Sequence, residues 1–109
     1  MAKITPRTYD GKTLAKITQL GTYGYALSKV MNIMEITDRL NFTMDFYNPE
    51  SVVYQSYHAG RDKGDFMIDS ILFEEATKKK DLNAAKEFTD RKKKNIAQAD
   101  KEERLYKKK

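Results

Sequence analysis

The feature that most restricts the fold is a stripe of apolar and small residues that recurs at helical spacing between positions 53 and 72. Its members are Val53, Tyr57, Gly60, Gly64, Ile68, Ile71 and Leu72. Intervals of three and four residues place side chains on one face of an α-helix. Asn48-Pro49 lies just upstream, and these residue types favour the N-cap and the first position of a helix. We therefore predict one long helix from Pro49 to about Thr77, roughly 40 Å in length at 1.5 Å per residue.

Two glycines lie inside this stripe, although a glycine costs about 1 kcal/mol relative to alanine in a helix interior. Because Gly60 and Gly64 lack a Cβ, they would allow another backbone to approach closely or the helix to bend. The alternative is that the helix breaks near these two residues. The sequence leaves these possibilities open.

Shorter helices are predicted around the long one. They are a first helix from about Lys12 to Leu20, a second with Leu27, Val30, Met31 and Met34 on one face, a third that begins after a Thr37-Asp38 cap, and a fifth that begins at Asp81. The connection before Asp81 is short, which favours antiparallel packing of the long helix and the fifth. Five glycines and two prolines in 109 residues argue against a turn-rich β fold.

The predicted fold is therefore all-α, with an N-terminal helix-turn-helix-like unit followed by an antiparallel hairpin of long helices used for oligomerisation. The predicted domains are a flexible N-terminal arm (1–11), a helix-turn-helix-like DNA-binding domain (12–47), a helical-hairpin oligomerisation domain (48–94) and a charged C-terminal tail (95–109).

Residues that carry catalysis or metal binding are scarce. The chain has no cysteine and one histidine, His58, so it offers neither a thiolate nor a histidine pair. Asp10-Gly11-Lys12-Thr13 is similar to the end of a phosphate-binding loop, but Pro6 stands where that motif requires a glycine. Acids between Asp62 and Glu75 follow one another along a helix, which is typical of a solvated face or a subunit contact. We therefore expect a protein that is not an enzyme and that binds no metal and no cofactor.

Positive charge is concentrated at the two ends of the chain. Residues 1–30 carry a net charge of +4, residues 31–76 carry −6 and residues 77–109 carry +7. Basic segments of this kind suit a polyanion, the alternative being an ordinary solvated surface. The candidate DNA-binding residues are Lys3, Arg7, Lys12, Lys16, Lys29, Arg39, Lys92, Lys93 and Lys94. Asp38 and Asp45 lie on the third helix and would repel phosphate there, which weakens a base-reading role for that helix.

The hairpin carries more aromatic residues than two helices can bury in each other. Tyr54, Tyr57, Phe66, Phe73 and Phe88 cannot all face one partner helix, and an exposed apolar face of this size indicates self-association. The candidate oligomerisation residues are Val53, Tyr57, Gly60, Gly64, Ile68, Ile71, Leu72 and Phe88. No apolar run is long enough to cross a bilayer, and the first residues lack the apolar core of a secretion signal. We therefore expect an intracellular protein with no membrane partner.

Several segments resemble a known family in their order and spacing. They are Asn48-Pro49-Glu50, Tyr57-His58-Ala59-Gly60, Leu72-Phe73-Glu74-Glu75-Ala76, Asp81-Leu82-Asn83-Ala84-Ala85-Lys86-Glu87-Phe88 and Arg91-Lys92. This pattern resembles the small terminase subunits of tailed bacteriophages over about Leu14 to Lys94. The resemblance implies a non-enzymatic DNA-packaging component in the host cytoplasm. Such a protein would assemble as a ring through its hairpin, bind double-stranded viral DNA, and recruit and regulate the large terminase subunit, which holds the ATPase and nuclease.

Two other functions fit parts of the sequence. A dimeric helix-turn-helix transcriptional regulator would place two recognition helices one DNA turn apart, roughly 34 Å, and would be expected to have a basic third helix. A helical protein-interaction adaptor would show no salt-sensitive DNA binding.

Overall fold

A computed structural model describes residues 9–107 of the chain, and all regular structure in that range is helical. The helices are α1 (Gly11–Thr22), α2 (Leu27–Ile33), α3 (Arg39–Tyr47), α4 (Val52–Lys78) and α5 (Leu82–Lys107). The predicted all-α class is confirmed. The helix α5 continues to Lys107, so residues 95–107 of the predicted tail are helical.

Aspartate side chains begin three of these helices, because a carboxylate can accept hydrogen bonds from backbone N–H groups that lack a helical partner. Asp10 accepts from Thr13 N at 2.7 Å, and Asp38 accepts from Asn41 N at 3.3 Å. Asp81 accepts from Ala84 N at 3.2 Å at the start of α5. The predicted caps at Asp38 and Asp81 are confirmed.

The predicted start of the long helix at Asn48-Pro49 is wrong. Asn48 instead ends α3, where its backbone N–H donates to Asp45 O at 3.2 Å. Its carbonyl accepts from Ser51 N at 2.8 Å, which closes a turn before α4. The Ser51 hydroxyl then accepts from Val53 N at 3.0 Å, and α4 begins at Val52. Asparagine favours both ends of helices, and here it serves the preceding one.

The chain forms two compact units, Met1–Asp65 and Phe66–Lys109. The first unit contains α1, α2, α3 and the beginning of α4, and these four helices share one core. The core residues are Ile17, Leu20, Val30, Met31, Phe42, Phe46, Val53 and Tyr57. The hydroxyl of Tyr57 donates to the carbonyl of Tyr25 at 2.5 Å, so the polar end of this buried side chain is satisfied.

Within the first unit, the backbones of α1 and α4 touch at three glycines. A Cβ added to Gly60 would lie 1.9 Å from the carbonyl oxygen of Thr18, and one added to Gly64 would lie 2.5 Å from that of Thr22. A Cβ on Gly21 would lie 2.1 Å from the carbonyl oxygen of Tyr57. The predicted close approach of another backbone is therefore confirmed. The alternative of a break is wrong, since α4 is continuous through both of its glycines.

The second unit contains the rest of α4 and all the described residues of α5. Leu72 and Ala84 are its buried residues, and the rings of Phe73 and Phe88 lie with their centroids 5.4 Å apart. Arg91 Nε donates to Asp69 Oδ1 at 2.5 Å, in a pair whose side chains are 29% and 23% exposed. The segment between the helices passes through Lys80, which has a left-handed backbone with φ of 52°.

Candidate DNA-binding and self-association surfaces

Two lysines of α1 form the best-defined basic feature of the first unit. Lys12 and Lys16 are one helical turn apart, and both are exposed. With Gln19 and Met34 they line an open depression of about 570 Å³. Hydrogen bonds from the Thr13 side chain and backbone hold the pKa of Asp10 below its usual range, so Asp10 is ionised beside Lys12 at neutral pH.

The two other described cations that we predicted in the first unit each contact a neighbouring side chain. Lys29 Nζ lies 4.1 Å from the centre of the Tyr25 ring, a distance at which a cation is attracted by the aromatic face. Arg39 Nη2 donates to Asn32 Oδ1 at 2.6 Å. Both residues are exposed, so these contacts orient the charges without removing them from solvent. Lys3 and Arg7 lie outside the described residues.

Of the two acids that we predicted to repel phosphate at α3, one does not lie at the surface. Asp45 is buried, and its Oδ2 accepts a hydrogen bond from the Tyr9 hydroxyl at 2.6 Å. Asp38 is engaged as the cap of α3 and also accepts from Asn41 Nδ2 at 2.7 Å. Asp45 is therefore not part of the exposed surface of α3. The large apolar residues that α3 exposes are Leu40, Met44 and Tyr47.

Lys92, Lys93 and Lys94 are exposed in the middle of α5, in the second unit. Consecutive residues of an α-helix point about 100° apart, so these three amines face different directions and cannot all contact one strand of phosphates. Arg91, which precedes them, is engaged with Asp69.

Half of the predicted oligomerisation residues are used inside the chain, which is a correction. Val53 and Tyr57 belong to the core of the first unit, with exposed fractions of 0% and 5%. Gly60 and Gly64 are covered by the backbone of α1. The part of the stripe from Val53 to Gly64 is buried, and α1 to α3 cover it rather than another copy. The physical reason is that a helical stripe indicates burial without indicating which element provides it.

The other half of that set lies in the second unit. Ile68 and Ile71 are 46% and 55% exposed, Phe88 is partly buried, and Leu72 is buried. Phe66 and Phe73, which we predicted to be surplus aromatic residues without including them in this set, are also exposed, and so is Met67, which we did not name. The signal for them was present in the sequence, since apolar residues occur on every side of this part of α4.

An open groove of about 460 Å³ follows α4 on one side in the second unit. Phe66, Phe73 and Phe88 supply its apolar lining. Glu74 and Lys78 lie at its border, with the Lys78 ammonium 3.5 Å from the Glu74 carboxylate. Such a groove fits an apolar side chain with a polar edge better than it fits a charged ligand.

His58 is packed between aromatic neighbours. Its ring lies 4.0 Å from that of Tyr54, centre to centre, and 5.4 Å from that of Tyr57. Partial burial and the nearby charge of Arg61 lower the pKa of His58, while Asp62 opposes them, so the imidazole is neutral at pH 7. Among residues 9–107, no group of three His, Cys, Asp or Glu side chains is arranged to hold a metal ion.

Across the part of the chain that the structure describes, no helix is both long and apolar enough to cross a bilayer. No protein-family model, no curated protein and no solved structure matches this chain.

Proposed function

We propose that this chain is a DNA-packaging initiation protein that acts as a small terminase subunit. In this role it binds double-stranded viral DNA as a ring-shaped homo-oligomer in the host cytoplasm. It then recruits the large terminase subunit and regulates the ATPase and nuclease of that partner. The chain itself performs no catalysis and carries no cofactor.

One observation carries this proposal: the first unit closes a core and presents two neighbouring lysines on α1, whereas the second unit leaves large apolar residues of α4 exposed. Lys12 and Lys16 are exposed on α1, in the unit with the closed core. Exposed apolar residues of α4, with Phe66 at 71% and Ile71 at 55%, lie in the second unit. This difference suits a protein that assembles through the second unit and holds DNA with the first, although Lys92, Lys93 and Lys94 give the second unit exposed positive charge as well.

The proposed arrangement is a helix-turn-helix-like unit followed by an antiparallel hairpin. Two contacts support the hairpin, because Asp69 meets Arg91 and Phe73 meets Phe88, so advancing along α4 means going back along α5. The short α1, α2 and α3 packed on one core support the first part. Phosphate contact through Lys12 and Lys16 fixes no sequence by itself, which suits loading onto DNA rather than reading a long site.

The second candidate is a dimeric helix-turn-helix regulator. The burial of Asp45 favours it, because Asp45 then occupies no part of the exposed surface on which α3 presents Arg39. The mass of the protein in solution separates the two candidates. A single species of many subunits supports the packaging role, and a clean dimer supports the regulator.

DNA binding is tested with the Lys12→Glu/Lys16→Glu variant and a short duplex of random sequence. Each phosphate contact contributes about 0.9 to the slope of log affinity against log salt, so the loss of two reduces that slope by about 2. The matched control is Lys63→Glu/Lys86→Glu, which makes the same change in net charge at two exposed lysines outside the proposed set. Equal losses of DNA affinity in both variants would contradict the α1 contact, because they would follow from the change in net charge alone.

A further inference from the structure

A row of exposed side chains runs along α1 and continues past its end. The α1 row consists of Lys12, Lys16, Gln19 and Tyr23, all of which are exposed. Tyr23 directly follows the last residue of α1 and keeps a helical backbone, with φ of −82° and ψ of −12°. At about 100° per residue, these side chains point within about 60° of one another over a length of about 16 Å. A ligand that lies along α1 can therefore meet both lysines and the tyrosine.

The ring of Tyr23 is exposed but held in position. Its hydroxyl accepts a hydrogen bond from Gln19 Nε2 at 3.2 Å, and its ring lies 5.4 Å from that of Tyr25, centre to centre. Tyr25 is anchored in turn, because its carbonyl accepts a hydrogen bond from the hydroxyl of Tyr57 in the core. Tyr23 nevertheless remains 56% exposed. Because the ring is already oriented, a ligand that stacks on it pays little to order that side chain.

Positive charge borders the two tyrosines. Gln19 contacts Tyr23 and also lines the depression that contains the two lysines of the α1 row. Beyond Tyr23, the Lys29 ammonium lies 4.1 Å from the centre of the Tyr25 ring. The described residues that line the depression include no carboxylate. This surface of the first unit therefore combines several cations with one open aromatic face.

This combination fits a single nucleic-acid strand better than a duplex. Every unpaired base offers a face that can stack on an aromatic side chain, while the phosphates on either side of it meet basic groups. In a duplex the base faces are already stacked on their neighbours, so a protein meets base edges and phosphates. The lysines of the α1 row suit either form of DNA, whereas the open face of Tyr23 suits the unpaired form.

We propose that the α1 row binds single-stranded DNA, with one base stacked on Tyr23 and neighbouring phosphates on Lys12 and Lys16. The contact selects no base sequence, because all bases have a face that can stack. The inference rests on the phosphate contact at α1 in the proposed function and adds unpaired DNA as a ligand of the same site. Through this contact the protein distinguishes a locally opened segment of DNA from an intact duplex.

The test measures the binding of two probes to the full-length protein and its variants at one salt concentration. The probes are an oligothymidine, which cannot pair with itself, and a duplex of random sequence and equal length. Tyr23→Ala removes the ring, and Tyr23→Phe keeps the ring without its hydroxyl. Tyr47→Ala is the matched control, because Tyr47 is 66% exposed in the same unit and is preceded on its face of α3 by Thr43 and Leu40 rather than by lysines. Circular dichroism verifies equal helix content in all variants.

The expected result separates the ring from the charges. Tyr23→Ala should lower the affinity for oligothymidine about 5- to 100-fold, the range for loss of one stacking contact, and should lower the affinity for the duplex by a much smaller factor. Tyr23→Phe and Tyr47→Ala should bind oligothymidine as the wild type does. Lys12→Glu/Lys16→Glu should weaken the binding of both probes, because both carry phosphates.

Other outcomes overturn different parts. If Tyr23→Ala weakens both probes equally or neither, or if Tyr47→Ala has the same effect, stacking on Tyr23 is wrong and the phosphate contact stands. If Tyr23→Phe loses as much affinity as Tyr23→Ala, the aromatic face is not what binds, and stacking is again wrong. If Lys12→Glu/Lys16→Glu binds both probes as well as its control Lys63→Glu/Lys86→Glu does, the α1 contact of the proposed function fails and this inference fails with it.

Discussion

The two units of the chain solve the problem of burial in different ways. The first unit brings four helices around one cluster that includes Phe42, Ile17 and Val30, each with essentially no exposed surface. In the described part of the second unit, Leu72 and Ala84 are the buried residues, while Phe66 and Leu82 are 71% and 84% exposed. The difference teaches that apolar residues alone do not make a core. Two helices can cover only one face of each other, so the apolar residues on their other faces stay exposed.

The largest expected effect compares a phenylalanine from each unit. Phe42→Ala removes a ring that is 1% exposed and should cost about 3–5 kcal/mol of unfolding free energy. Phe66→Ala removes a ring that is 71% exposed and should change the unfolding of the first unit by less than about 0.5 kcal/mol. Urea unfolding, followed at a concentration where the wild type is monomeric, measures both. Similar losses would mean that the two units are not as different as we describe.

A second prediction concerns the glycine contact that the first unit has and the second lacks. Gly60→Ala places a Cβ against the backbone carbonyl of Thr18, which cannot move without shifting α1, and should cost about 3 kcal/mol. Gly11→Ala is the control, because a Cβ there meets nothing within 4 Å, and at the first position of α1 it should change the free energy of unfolding by less than about 0.5 kcal/mol. Thermal unfolding of both variants provides the measurement, and a neutral Gly60→Ala would contradict the close crossing.

The ion pair of the second unit should have a smaller effect. Asp69→Asn weakens the contact with Arg91, and because both side chains are partly exposed the cost should be about 1 kcal/mol or less. Since this unit buries little apolar surface, the loss should appear locally as faster hydrogen exchange in α5. Asp100→Asn, at an exposed position of α5, is the matched control. Unchanged exchange around Arg91 would mean that the pair does not hold α5.

The smallest expected effect is a pH dependence at the start of α1. Hydrogen bonds from Thr13 lower the pKa of Asp10 in the folded chain. A depressed folded pKa means that the carboxylate stabilises α1 above the unfolded pKa and that this stabilisation is lost as the pH falls through the folded pKa. Asp10→Asn keeps a capping side chain that does not titrate. The unfolding free energy of this variant should therefore depend less on pH below about pH 4 than that of the wild type. If the unfolding free energies of the variant and the wild type had the same dependence on acidic pH, the titration of Asp10 would not contribute to the stability of α1.

Much of the local structure could be predicted from the sequence, because its causes are local. The caps at Asp38 and Asp81 follow from side chains that reach backbone groups two or three residues away. The start of α4 could not be placed in this way, because Asn48 suits either the end of one helix or the beginning of the next. The helical spacing of apolar residues predicted five helices, because this spacing is also a property of each segment alone.

The candidate surfaces were harder to predict, because they depend on which elements meet. Gly60 lacks a Cβ, which indicates that another backbone approaches it closely. Every residue has the same backbone carbonyl, so the sequence could not identify Thr18 as the neighbour. Val53 and Tyr57 were assigned to contacts between copies although α1 to α3 cover them. The outward position of Lys12 and Lys16 agreed with expectation, since charged side chains rarely lose water unless they are paired.

The glycine crossing also affects how a survey of variants of this protein should be read. Every other amino acid carries a Cβ, so Gly60 has no conservative replacement, and even the smallest alternative meets the carbonyl of Thr18. In a library of single substitutions this position should therefore be as intolerant as a catalytic residue would be in an enzyme. The cause is a steric clash rather than a lost chemical group. Intolerance at Gly60 would therefore mark the place where α1 and α4 cross closely, and not a ligand-binding site.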